Sequence, residues 1–127
     1  MFKTELDMIM YISKQLTNGG FDKNKELKNF TLSNDTGIFG TTYYVSVTLE
    51  PMIGPNWSIQ LGKTICDGTI LASENMGRIS MSMSDIKKEG FVNNIDGFIY
   101  YIFNHKEIKM MLRKKKLKKL KENVRIF

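Results

Sequence analysis

Three groups of residues in this chain have side chains capable of chemistry. Gly62-Lys63-Thr64 has the ending of a phosphate-binding loop, whose backbone N–H groups cradle phosphates while its lysine reaches their outer oxygens. The full pattern places another glycine five residues before the Gly-Lys pair, and that position holds Trp57. The mechanism also needs a helix N-terminus directly after the loop, whereas this triplet lies within or between strands. Cys66 and His105 supply a thiol and an imidazole, but a working pair needs a third group to orient the base. Cys66 precedes a tight Asp-Gly turn among apolar neighbours and reads as a small packing residue. His105 reads as a surface residue at a helix bend. We expect no catalytic residues and no enzymatic activity.

Metal chemistry meets the same shortage. A structural zinc site takes four Cys or His ligands, and Cys66 and His105 are the only such residues present. Asp35, Asp67, Glu74 and Asp85 follow no cation-loop pattern and read as turn and cap residues. No metal and no cofactor are expected.

The third group is a concentration of cations. Residues 105–127 carry ten Lys or Arg against two acids, a balance of +8, while the remainder carries nine against eleven, a balance of −2. Arg113, Lys114, Lys115, Lys116, Lys118, Lys119, Lys121 and Arg125 form the cluster, expected to bind nucleic acid or another anionic partner. Each lysine that neutralises a phosphate releases counterions and yields affinity without sequence information. No aromatic residue interleaves with the lysines to stack bases, and only Arg113 and Arg125 are suited to reading guanine. Within the same segment Met110, Leu117 and Val124 fall seven apart with Leu120 on the same side. They make a narrow apolar seam, which offers a self-association or partner-helix contact. At barely two heptads the seam is short for a coiled coil, and it is narrow and without tryptophan for a membrane surface.

The elements that must position these groups follow from periodicity. Thr4 with Asp7 starts a helix, Phe2, Leu6, Ile9, Ile12 and Leu16 give it one apolar face, and Asn18-Gly19-Gly20 stops it. Residues 21–27 read as a loop. Phe30 and Leu32 mark a strand before a loop at 33–37. Tyr43, Val45, Val47 and Leu49 alternate with polar residues in the clearest strand, and Pro51, Gly54 and Pro55 mark a turn. Trp57, Ile59 and Leu61 resume the alternation towards Cys66, where Asp67-Gly68 signals a hairpin turn. Thr69 to Ser73 returns, Glu74 to Gly77 is a loop, and Ile79, Met81 and Met83 mark a last strand. Tyr44 and the serines at 80, 82 and 84 fall on the polar side of a sheet wetted on one face.

Ser84-Asp85 caps a short helical turn ending at Gly90. Asn94 or Asp96 opens a second major helix with the stripe Ile95, Phe98, Ile99, Ile102 and Phe103. Unbroken continuation would put Lys106, Lys109 and Arg113 on that stripe, so the helix leaves the body or bends near Asn104-His105.

At 127 residues with 42% hydrophobic and 25% charged residues, the chain suits one core. Nine methionines make that core soft. A single cysteine leaves no intramolecular disulfide, Glu5 and Asp7 interrupt the apolar run of a signal peptide, and no stretch spans a bilayer. The expected compartment is the cytoplasm, where the glycosylation triplets at Asn29, Asn34 and Asn56 carry no meaning. The expected fold is α+β: an N-terminal helix, an antiparallel meander of four or five strands, and C-terminal helices with a basic end. Residues 1–104 form the single domain, with 105–127 as an appended basic helix or tail. The expected function is non-catalytic binding to nucleic acid or to a nucleic-acid-handling protein complex, in the style of a phage or mobile-element accessory protein that inhibits or modulates a host machine. Self-association through the seam into a homodimer or assembly is the alternative class.

Overall fold

The computed structural model describes residues 1–24, 28–33, 39–50, 56–68 and 70–125, with the side chains of Phe39, Glu50, Asp67, Ile70, Asn123, Val124 and Arg125 outside that description. The order is helix α1 (Glu5–Asn18), strands β1 (Asp22–Lys23), β2 (Asn29–Ser33), β3 (Phe39–Glu50), β4 (Asn56–Asp67) and β5 (Ile70–Ser82), a 3₁₀ turn (Met83–Asp85), then helices α2 (Glu89–Asn104) and α3 (Lys106–Arg125). The five strands form an antiparallel meander in chain order, so the α+β expectation is met.

Thr4 caps α1 as its sequence implies, its hydroxyl accepting the Asp7 N–H at 3.2 Å. The buried face of α1 differs from the expected stripe. Met8, Ile12 and Leu16 face the core, while Leu6 stays 61% exposed. A methionine absent from the expected stripe thus fills the position one turn before Ile12. Gly20, at φ 117, takes the chain out of the helix in a conformation that favours glycine.

One sheet face carries the core residues Phe30, Leu32, Tyr43, Val45, Val47, Trp57, Ile59, Leu61 and Met81, all packed with the helices in one cluster. The segment 21–27, read as a loop, contains β1, which pairs Asp22 with Thr31 and Lys23 with Phe30. Two paired residues are too short to leave a periodic signal. The expected loop at 74–77 is also strand. Leu61 pairs with Gly77 and Gly62 with Asn75, leaving Met76 as the extra residue of a bulge. The Met76 carbonyl accepts the Tyr101 hydroxyl at 2.5 Å, and the Asn75 side chain takes the Gly77 N–H at 3.1 Å. Asp67 pairs with Ile70, so the hairpin turn lies one residue later than the Asp-Gly pair, with Gly68 at φ 70. Met83 belongs to the 3₁₀ turn and not to the last strand. The turn expected around Gly54 and most of the loop after Ser33 lie outside the described residues.

Helix α2 begins at Glu89, several residues before the expected Asn94 or Asp96. Phe91 is buried against Phe2 and sets that earlier start, with ring centroids 6.2 Å apart. Gly90 and Gly97 argue against helix locally, yet a Cβ on either would meet nothing within 4 Å, so they only add backbone freedom. At His105 the backbone turns extended (φ −65, ψ 132), and the helix phase is reset. The His105 carbonyl accepts the Lys109 N–H at 3.0 Å and its Nδ1 accepts the Glu107 N–H at 3.2 Å, so this residue caps α3.

The bend lets α3 contribute to the core. Ile108 is fully buried, Met111 nearly so, and Leu112 packs beside them. The opening turns of α3 therefore belong to the body, and the segment from 105 is more than an appendage. Ile108→Ala should lower unfolding free energy by about 2–5 kcal/mol, the cost of emptying a fully buried branched site. Urea unfolding measures this, and a loss under about 1 kcal/mol would mean that α3 is not packed as described. A chain ending at Asn104 should unfold far more readily than one ending at residue 116.

Candidate anionic-partner interface

Helix α3 divides by environment. Its inner side carries Ile108, Met111, Leu112 and Lys115 against the body. Lys115, one of the expected anion-binding cations, is committed there: its Nζ donates to the Gly20 carbonyl at 2.6 Å and lies 3.5 Å from the Asp22 carboxylate. The last turn of α1 contains no basic residue of its own. Lys115 supplies the positive charge that its carbonyl end favours. This role depends on two segments nearly a hundred residues apart, so no local signal reveals it.

The other expected cations are placed differently. Arg113, Lys114, Lys116, Lys118, Lys119 and Lys121 are all exposed or nearly so, in a stretch where the docked side ends. Arg125 closes the helix, with its side chain outside the described residues. In the seam, Met110, Leu117 and Leu120 are 49%, 56% and 60% exposed, while the Val124 side chain lies outside the description. At about 100° per residue, these apolar side chains point away from the docked side. Lys109, Arg113 and Lys116 make a row along one flank of the strip. Lys114, Lys118 and Lys121 make a row along the other. Met110 and Leu117 run between the rows, while Leu120 falls in line with the Lys109, Arg113 and Lys116 row one turn further on.

The residues that resembled a phosphate loop serve the fold. Gly62 pairs with Tyr44, whose ring lies across it; a Cβ on Gly62 would sit 2.3 Å from that ring. Lys63 continues the inward alternation of Trp57, Ile59 and Leu61. Its Nζ donates to Glu107 at 2.9 Å and lies 3.5 Å from Glu74, tying α3 to the sheet at its first turn. The period-two pattern placed Lys63 on the covered face, and that position was the available signal that it needed partners.

Cys66 and His105 are not brought together. Alternation from Lys63 puts Cys66 on the sheet face away from the helices, with Sγ 4.0 Å from the Gly68 carbonyl. His105 lies among the helices, edge-on to Tyr101 at 5.9 Å. Glu74 and Asp85 act as ion-pair partners of Lys63 and Lys88. Asp35 and the Asp67 side chain lie outside the described residues. Among the described residues, no three His, Cys, Asp or Glu gather in one place, and no helix is long and apolar enough to cross a membrane.

Fold and surface together define an α+β body with a one-sided meander sheet and a docked helix that carries an exposed basic face. No known family, curated protein or solved structure matches the chain.

Three groups in the body hold their protons more tightly than usual. The Lys63 ammonium is raised above its ordinary 10.5, chiefly by its bond to Glu107 and helped by the Glu74 charge, against a smaller opposing effect of burial. The Tyr43 phenol is raised above 10.0, first by burial and then by the nearby Glu107 charge. Tyr11 is raised above 10.0 mainly because its hydroxyl donates to Asp96, with burial adding to the effect. A pKa raised by folding contributes stability that is complete below the unfolded value and is lost as pH climbs through the folded one. Stability should therefore fall as pH rises beyond about 10, because these ordinary values bound the window. Urea midpoints between about pH 8 and 11 test this, with Tyr11→Phe expected to flatten the alkaline decline. A decline equally steep in that variant would remove Tyr11 as a contributor.

Proposed function

We propose that this protein is a non-catalytic binding module that contacts nucleic acid, or a complex that handles it, through the outward side of α3. The observation that supports this is the exposed set Lys114, Lys116, Lys118 and Lys121 with Arg113, carried on a helix whose inner side is fixed to the body, with exposed Lys119 one turn beyond Lys115 on that inner side. Docking through Ile108, Met111 and Lys115 presents those charges from a defined position. They then approach a polyanion without first being ordered, which lessens the entropic cost of contact. The body, mildly acidic by sequence, is left to choose protein partners. A reducing, cytoplasmic setting suits a chain with one unpaired cysteine.

The test is binding to a labelled mixed nucleic-acid pool over a salt series, comparing the parent with a Lys114→Gln, Lys116→Gln, Lys121→Gln variant. Truncation at Asn104 is unsuitable, because it removes core residues. Affinity should fall steeply with salt, and the variant's log–log slope should be shallower by roughly 2.7, from about 0.9 per lost phosphate contact. Unchanged binding in the variant would refute the outward side of α3 as the contact.

Self-association along Met110, Leu117 and Leu120 is the second reading, favoured by their exposure. It brings basic flanks of two copies together, which opposes pairing without an intervening anion. Under that reading Leu117→Glu with Leu120→Glu converts an oligomer to monomers, while neutralising lysines does not.

A further inference from the structure

Resting on the nucleic-acid reading, we infer that the outward side of α3 is shaped for the major groove of a B-form duplex, with the two basic rows gripping opposite phosphate backbones. Three features lead to this. The first is the separation of the rows: Lys109, Arg113 and Lys116 lie on one flank and Lys114, Lys118 and Lys121 on the other. A flat anionic surface meets one side of a helix, whereas a groove has two charged walls. The second is the strip between the rows, where half-exposed Met110 and Leu117 face outward. The major-groove floor presents base edges that include thymine methyl groups, with which apolar side chains make contact. The third is size. At about 1.5 Å rise per residue, residues 109–121 extend about 18 Å, and a helix with its side chains is about 10–12 Å across. The B-form major groove, about 12 Å wide, accepts such a cylinder.

The same geometry argues against other nucleic acids. The A-form RNA major groove is too deep and narrow for side chains to read. Single strands are held by stacking on aromatic side chains, and α3 has none between Lys106 and Arg125. The body does not block entry, because Ile108, Met111 and Lys115 hold it on the opposite side of the helix. The strip has no Asn or Gln and one arginine beside it, so the contact is directed by shape and charge, not by base sequence.

The experiment measures the full chain against four probes at one salt concentration: a mixed-sequence DNA duplex, one of its strands, the matching RNA duplex, and vesicles rich in anionic lipid. Duplex DNA should bind at least tenfold more tightly than the other three. Two row variants, Arg113→Gln with Lys116→Gln and Lys114→Gln with Lys121→Gln, should each make the salt slope on duplex DNA shallower by roughly two. Leu117→Glu, which sets a carboxylate against the groove floor at an exposed site, should cost at least tenfold on the duplex. Circular dichroism checks that each variant remains folded.

Equal affinity for the single strand or the RNA duplex would overturn the groove assignment while leaving nucleic-acid binding intact. So would a slope change from only one row, which indicates contact with one wall. Preference for vesicles would overturn it in favour of a lipid surface. Failure to bind any nucleic acid at low salt would overturn the proposed function itself.

Discussion

The cost of taking an unpaired charge out of water governs how the C-terminal part of this chain is arranged. Ile95, Phe98 and Ile102 of α2 lie in the core. One unbroken helix would carry Lys106, Lys109 and Arg113 onto the same side. His105 resolves the conflict by turning extended, capping the next helix with its own ring nitrogen and restarting the helical phase. After the restart Ile108 and Met111 face inward and most of the lysines face out. Where a charge does stay under the helices, as at Lys63, carboxylates from β5 and α3 meet it. The division of α3 into a docked side and a cationic side is therefore a consequence of the bend.

Elements that depend on their own residues were legible in the sequence. The Thr4 cap, the Gly19-Gly20 stop, the alternation of β3 and β4, and the need for a break near Asn104-His105 all follow from local spacing. What escaped depends on distant partners. β1 exists because β2 lies beside it, and two residues carry no period. The bulge at Met76 is fixed by Tyr101 from α2, twenty-five residues on. Glycine and asparagine in Asn75-Met76-Gly77 mimic a loop when read alone. The start of α2 at Glu89 was obscured by Gly90 and is set by the burial of Phe91. The same distinction applies to the candidate interface. The cation cluster was legible as composition, but its separation into Lys115, used by the fold, and the exposed remainder required the position of Gly20 and Asp22.

The sheet has a second face that the helices leave uncovered, and its residues suit that position. Tyr44 lies over Gly62, and Thr31, Ser46, Gln60 and Ser80 continue the polar side. Polar alternation of this kind tolerates water on one face of an antiparallel sheet. The long outer strand β5 is interrupted by its bulge, a feature that hinders further strand addition at an open edge. These properties leave α3 as the most strongly charged surface of the molecule.

Helix α3 also links charge to folding within itself. Lys114 with Lys118, and Lys115 with Lys119, stand four residues apart, a spacing at which like charges disfavour a helix by a few tenths of a kcal/mol each. Two effects offset this repulsion. The carbonyl end of a helix favours cations, and the inner turns are held by Ile108, Met111 and the Lys63–Glu107 pair. The docked turns serve as a nucleus, so the outer turns extend an existing helix and avoid the unfavourable first turn. A polyanion along the outer rows would screen the remaining repulsion and stabilise the same conformation that binds it. Contact and helix order are then coupled, with the anchoring at Lys63 and Ile108 setting the starting point for both.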